Sequence, residues 1–151
     1  SCSFGMAEQV RRACIRPYAV GADMHGYNVN VRDIADSEDR QANPFAGRAP
    51  CSLTNAMSRL LCLGRPLEEV VAAVTANPAK MIGMSDTLGS LQVGREADIS
   101  VLNLERGRFE MADNSGVRVV TDTMVTPAFT LRAGRIFETD SPLNPPVVPV
   151  Q

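Results

Sequence analysis

The period of the hydrophobic residues changes once along this 151-residue chain, near Gly89, and this change limits the folds that the chain can adopt. Between residues 53 and 82, apolar side chains recur at helical spacing. After Gly89 they follow the alternating pattern of half-buried strands. The sequence therefore predicts helices followed by a small antiparallel β-unit in the C-terminal third.

Two helices are predicted in the central region. The first follows Ser52, a typical N-cap residue, and ends before Gly64, which suits the left-handed conformation found after many helices. The second starts at Pro66, is broken by the Asn-Pro pair at 77–78, and ends after one more turn at Gly83. The methionines on these helices are predicted to fill the core rather than to form a cofactor site: Met57, Met81 and Met84.

Several short strands are predicted after Gly89. The run GSLQVGREADISVLNLE gives two of them around Gly94, RFEMA and VRVVT give two more, and VTPAFTLRAGRIFE gives a pair joined at residues 133–134. The final stretch, SPLNPPVVPVQ, contains four prolines and predicts an extended arm.

The N-terminal region is predicted to place a carboxylate at the end of a strand. Residues 5–15 carry one apolar helical stripe, and Pro17 ends that helix. The apolar run YAVGAD at 18–23 then predicts a short strand that closes on Asp23. Residues 32–50 mix charges, Gly and Pro without a period, and they predict a long surface loop.

The composition excludes several classes of function. Charged residues make up 21% of the chain and the net charge is −2, so no strongly basic surface for nucleic acid is expected. No apolar run approaches the roughly 20 residues of a membrane helix, and no signal-peptide pattern is seen, so a cytoplasmic protein is expected. The four cysteines form no CxxC pair and are predicted to be free structural thiols.

The segment GADMHGYN at 21–28 contains His25, the single histidine of the chain, two residues after Asp23. A carboxylate at the exit of a strand is where α/β enzymes place catalytic groups, but an Asp-x-His sequence in a Gly-containing loop also suits an ordinary turn. A hydrolytic zinc needs about three protein ligands, which one histidine does not supply in the usual pattern. The chain also lacks a GxSxG elbow and a phosphate-binding loop, so it looks incomplete as an enzyme.

The run TANPAKMIGMSDTLGSLQVGREADISVLNLE at 75–105 resembles the C-terminal signature of the amidohydrolase superfamily. GADMHGYN and the helical run at 50–83 resemble segments of its dihydroorotase-like, amidohydrolase/deacetylase branch. The resemblance implies an α/β fold: the C-terminal fragment of a metal-dependent (β/α)8 barrel, with its last strand and helices, followed by a small antiparallel β-sandwich portion. The expected division is 1–88 for the barrel end, 89–138 for the sandwich portion and 139–151 for a Pro-rich tail.

The resemblance also implies roles for two residues. In that branch the aspartate of the eighth strand binds the metal and acts as a general base, so both roles are expected for Asp23. His25 is expected to bind substrate at the mouth of the site. The implied cofactor is a divalent metal, zinc by preference and binuclear in the full-length enzyme. The implied reaction is hydrolysis of an amide or ester bond of a small molecule, with N-acetyl deacetylation as the leading specific activity.

The other metal ligands of the family have no counterparts here, because the strands that carry them would precede residue 1. The chain is therefore expected to correspond to about the last quarter to third of the enzyme, with unpaired strand edges, and to be inactive alone. The expected partners are a small-molecule substrate and either further copies of the chain, as a homo-oligomer, or a complementing N-terminal barrel segment, with no nucleic acid and no membrane. Two other functions stay open: a stand-alone β-rich interaction module built on 97–138, and a pseudo-enzyme subunit that completes a partner's barrel.

Overall fold

The computed structural model describes residues 3–22, 52–113 and 117–139 of the chain. Within these ranges the elements are α1 Phe4–Arg12, α2 Leu53–Cys62, α3 Leu67–Val74, α4 Ala76–Met81, β1 Ile99–Ala112, β2 Arg118–Arg132 and β3 Arg135–Glu138. The loop predicted at 32–50 and the Pro-rich arm lie outside the described residues. In the described part, no helix is both long and apolar enough to cross a membrane.

Helix α1 is shorter than predicted at its C-terminal end. It begins after Ser3, whose hydroxyl accepts a hydrogen bond from the Met6 N–H, and it ends at Arg12 rather than at Pro17. Cys14 follows in the left-handed region, with φ 57°, and so turns the chain out of the helix before the proline is reached.

Helix α2 has the caps that the sequence predicts. The Ser52 Oγ accepts from the Asn55 N–H at 3.1 Å, and Gly64 adopts φ 79° just after the helix. Both signals are local in sequence, which explains why the bounds of this helix could be predicted closely.

The break between α3 and α4 lies at Thr75, not at the Asn-Pro pair. Thr75 has φ −130° and ψ −85°, values outside the helical region, and its hydroxyl donates to the Val71 carbonyl at 2.7 Å. Pro78 instead lies in the first turn of α4, where a missing N–H removes no intrahelical bond. The predicted extra turn is therefore a separate short helix, and Gly83 follows it with φ 72°.

The strands form one antiparallel sheet, as the sequence predicts, and their order in it is β1-β2-β3. They are fewer and longer than predicted, because runs assigned to separate strands continue through irregular points. In β1, Gly107 and Arg108 together oppose the single residue Asp122 of β2, which is a β-bulge. The first strand predicted around Gly94 is wrong, since residues 89–98 form turns and irregular chain. The β2–β3 turn at Ala133 and Gly134 is confirmed, with φ 47° and 75°.

The core lies where α2 and α3 pack against β2. Its buried members are Met57, Val70 and Val125, with Leu60, Leu61, Val74 and Leu102 packed around them. The prediction of core methionines is confirmed for Met57, which is 3% exposed, and is wrong for Met81 and Met84, which are 65% and 43% exposed. The last two belong to the end of α4 and the chain after it.

Residues 18–22 do not form the predicted strand. This stretch has no strand partner among the described residues, and the Val20 N–H donates instead to the Ala73 carbonyl of α3 at 2.9 Å. A strand needs a neighbour for its ladder, and here a helix end takes that place. The observed architecture is thus a set of helices beside a small antiparallel sheet, and the domain division given above stays a prediction.

Candidate functional site

Asp23 and His25, the two residues predicted to form the site, lie outside the described residues. What the structure describes is the chain that leads directly into Asp23, residues 15–22, and the helices that hold it. Among the described residues, no group of three or more His, Cys, Asp or Glu side chains could hold a metal ion.

Three main-chain groups of the segment 15–22 are held by residues around α3 and α4. The Ile15 carbonyl accepts from Arg65 Nη2 at 2.8 Å, and the Tyr18 carbonyl accepts from Asn77 Nδ2 at 2.7 Å. The Val20 N–H donates to the Ala73 carbonyl at 2.9 Å. Hydrogen bonds at three points fix the path of this irregular segment, because each one removes backbone freedom.

The helix break at Thr75 makes two of these bonds possible. In an unbroken helix the Ala73 carbonyl would accept from the N–H of residue 77, four residues on. The break leaves this carbonyl among the orphan acceptors at the end of α3, and Val20 uses it. The same break places Asn77 in the first turn of α4, beside the segment.

Gly89 keeps this junction closely packed. A Cβ built on Gly89 would lie 2.9 Å from the Ala79 Cβ and 3.0 Å from the Thr75 carbonyl oxygen, and the residue has φ 79°. A side chain at this position would therefore meet the backbone of the helix break. The two halves of the run at 75–105, the Asn-Pro-Ala turn and the Leu-Gly-Ser-Leu turn, contact each other here.

A small network of charges lies over the start of the segment. Arg16 Nη1 is 2.5 Å from Glu69 Oε1, and the other oxygen of Glu69 is 3.7 Å from Arg65 Nη1. The Arg16 side chain is mostly exposed, so water and salt screen this pair and its contribution to stability is small. Arg65 thus lies between the Glu69 carboxylate and the Ile15 carbonyl, to which its Nη2 donates.

A buried carboxylate ties α1 to the β1–β2 connection. Asp113 is 2% exposed, and its two oxygens accept from the Phe4 N–H at 2.8 Å and the Val117 N–H at 2.9 Å. The Phe4 ring in turn packs beneath the Arg59 guanidinium, whose carbon lies 5.7 Å from the ring centre. Because one oxygen binds the start of α1 and the other binds the chain just before β2, this group has a structural role.

Cys62 lines an open cavity of about 450 Å³ beside the β1 bulge, together with Arg108 and Asp122. Burial raises the pKa of the Cys62 thiol, so this sulfur stays protonated and is a weak nucleophile. Cys14 and Cys62 are both free, as predicted, although Cys14 is exposed rather than packed in an apolar stripe. Cys2 and Cys51 lie outside the described residues.

Comparison with known proteins gives a consistent result. Residues 62–137 match the Amidohydrolase family. The chain belongs to this family. The match begins at the last residue of α2 and includes α3, α4 and nearly all of the sheet. A deacetylase of Agrobacterium fabrum is 33% identical over 118 residues, which are 77% of this chain and 24% of that protein. An imidazolonepropionase of Porphyromonas gingivalis is 32% identical over 81 residues, which are 54% of this chain and 17% of that protein.

Solved structures agree with the family assignment of this amidohydrolase chain. A dihydroorotase superposes with a TM-score of 0.69 at 28% identity, covering 91% of this chain and 33% of its own. An adenine deaminase has a TM-score of 0.70 at 21% identity, covering 92% and 33%, and shows a shared fold alone. The chain thus spans about a quarter of the length of the curated deacetylase and about a third of the solved structures.

The sequence patterns missed the residues of the amidohydrolase chain that hold the segment before Asp23. Asn77 was predicted only as a helix breaker and Arg65 was given no role, yet each binds a carbonyl more than 45 residues away in sequence. For Asn77, its place in the first turn after a helix break is the available signal.

Proposed function

We propose that this chain is the C-terminal part of a metal-dependent amidohydrolase that hydrolyses an amide or ester bond of a small molecule, with N-acetyl compounds as the substrate class. The observation that carries the proposal is the family match over residues 62–137. The deacetylase of Agrobacterium fabrum, at 33% identity, supports the choice of the acyl group. The imidazolonepropionase and dihydroorotase relatives support hydrolysis of a C–N bond more generally.

Asp23 is proposed as the catalytic carboxylate and as a metal ligand. A divalent ion, zinc by preference and one of a binuclear pair, would supply Lewis-acid activation of the scissile carbonyl. The Asp23 carboxylate would take a proton from the attacking water and pass it to the leaving amine, which requires a carboxylate that is ionised near neutral pH. His25 is proposed to contact substrate beside it. The hydrogen bonds on residues 15–20 support this proposal, because a catalytic group needs a fixed approach of the chain.

Substitution of Asp23 in the complete enzyme tests these roles. We expect Asp23→Asn to lower kcat on a panel of N-acetyl amino acids by about 100- to 10,000-fold, because the amide cannot accept the proton. Bound zinc, measured by elemental analysis, should fall as well. Asp86→Asn is the matched control, since Asp86 is exposed and lies in the turns after α4. Equal activity and zinc content in the two variants would contradict both roles of Asp23.

The isolated chain is proposed to be inactive, because Asp23 and His25 alone do not complete a binuclear site. Purified residues 1–151 with added zinc should show neither stoichiometric binding of two ions nor hydrolysis of acetylated amino acids. Robust turnover by this chain would disprove the fragment proposal.

A second candidate function is supported by the outer edge of the sheet. β3 pairs only with β2 among the described strands, and its Ile136 and Phe137 are exposed. An open edge with apolar side chains can pair with another chain, as an interaction module or a complementing subunit requires. The molar mass of the purified chain separates the candidates, since a stable oligomer favours pairing and a monomer favours the fragment of a larger enzyme.

A further inference from the structure

The junction between α3 and α4 holds two successive points of the segment before Asp23. We propose that Asn77 is a positioning residue: through its bond to the Tyr18 carbonyl, it fixes the backbone that delivers the Asp23 carboxylate. This inference rests on the proposed function of Asp23. It adds a residue whose side chain binds a main-chain carbonyl of the segment.

At this junction the segment accepts one hydrogen bond and donates the other. Asn77 Nδ2 donates to the Tyr18 carbonyl at 2.7 Å, and the Ala73 carbonyl accepts from the Val20 N–H at 2.9 Å. Together they hold the peptide groups on both sides of Ala19. Rotation of either peptide would break one bond, so the direction in which the chain leaves Val20 is fixed. Asp23 follows three residues later in the sequence.

This contact requires a side chain that donates a hydrogen bond, as the asparagine amide does. The side chain must donate, because its partner is a carbonyl oxygen, and an aspartate in the same place would bring two oxygen acceptors together. For α4 alone the preference is the reverse, since a carboxylate in the first turn of a helix is favourable. A helical role and a positioning role therefore predict opposite effects of the change Asn77→Asp.

The surroundings of Asn77 make its position rigid. It follows the non-helical residue Thr75 by two positions, and Gly89 packs directly against Thr75 and Ala79. Small shifts of the first turn of α4 would thus meet the backbone of the Gly89 turn. This packing restricts the movement of Asn77, so its hydrogen bond holds residues 18–20 in one position.

The test compares Asn77→Asp with Asn103→Asp in the complete enzyme. Asn103 is exposed on β1, so the control makes the same change of charge away from the junction. Hydrogen exchange should quicken roughly 3- to 10-fold at the Val20 amide in Asn77→Asp, relative to the buried Val125 amide as internal reference. On N-acetyl amino acids, kcat should fall by about 10- to 100-fold with KM changed by less than about twofold, because binding groups remain and only the alignment of the carboxylate is lost. Asn103→Asp should leave both readouts unchanged.

The two readouts separate the positioning role from the proposed function. Unchanged exchange at Val20 in Asn77→Asp would overturn the positioning role whatever the enzyme's activity. Faster exchange with kcat equal to that of Asn103→Asp would overturn it too, because the segment would then move without effect on catalysis. If the unsubstituted enzyme hydrolyses none of the N-acetyl amino acids, the proposed substrate class fails, and the exchange result still decides whether Asn77 holds the segment.

Discussion

The junction of α2 with β2 is buried and apolar, whereas the junction of α3 and α4 with residues 15–22 is exposed and polar. At the first, Met57 and Val125 pack together and the Ser58 Oγ accepts from the Val125 N–H at 2.9 Å. At the second, side-chain donors bind the carbonyls of Ile15 and Tyr18 close to solvent. We expect the first junction to stabilise the fold. We expect the second to fix the path of the chain that enters the proposed site.

The largest expected difference between the junctions concerns two methionines. Met57→Ala should lower the free energy of unfolding by about 3 kcal/mol, because it removes a buried side chain and leaves a cavity. Met81→Ala, at the exposed end of α4, should change it by less than about 0.5 kcal/mol. Urea unfolding followed by circular dichroism measures both. Equal losses would show that the α4 end packs against something in solution.

Loss of a hydrogen bond should also lower the free energy of unfolding more at the buried junction than at the exposed one. Ser58→Ala should cost about 1–3 kcal/mol, because it leaves the buried Val125 N–H without its acceptor. Asn77→Ala should cost about 0.5 kcal/mol or less, because water can reach the Tyr18 carbonyl. The comparison uses thermal and urea unfolding of both variants, with the exposed Ser100→Ala as control. A larger loss for Asn77→Ala than for Ser58→Ala would reverse the assignment of the two junctions.

The smallest expected effect on stability comes from exposed charges on α1, in contrast to the buried contacts of α2 with β2. Hydrogen bonds from Arg11 and then Arg12 lower the pKa of Glu8 to about 2. A lowered pKa means that the stabilisation is complete above the ordinary value of 4.5 and is lost as the pH falls from there toward 2. NMR titration of the Glu8 carboxyl carbon should show this midpoint, and Arg11→Gln should raise it.

Arg95→Gln is the control for this titration, because Arg95 bonds to Gln92 and Ser85 and not to α1. High salt should reduce the lowering of the Glu8 pKa, since the Glu8 pairs are exposed. A Glu8 midpoint that is the same with and without Arg11 would show that the ion pair does not form in solution.

Local signals predicted the parts of the fold that depend on neighbouring residues. Ser52 and Gly64 gave the bounds of α2 because both act within one helical turn. The predicted split of β1 at residues 106–107 was wrong, because Gly107, a residue type that often interrupts strands, lies in a β-bulge through which β1 continues. The break at Thr75 was misplaced because Pro78 fits the first turn of the next helix.

Local sequence signals predicted less of the candidate site. Asp23 was singled out by its resemblance to a family position, and its role stays a prediction. Asn77 and Arg65 could not be assigned, because their partners Tyr18 and Ile15 are 59 and 50 residues away. Neither periodicity nor capping preference contains information about contacts of that range.

The hydroxyl of Ser58 also bears on aggregation. β3 pairs only with residues 129–132 of β2, so the rest of that side of β2 would otherwise offer open N–H groups to a foreign strand. At Val125, helix α2 already supplies the acceptor through Ser58, and Met57 packs against the same residue. An added strand would have to displace the whole helix before it could bond there. One serine on a helix therefore protects this part of β2 against unwanted pairing, as charge or proline protects strands elsewhere.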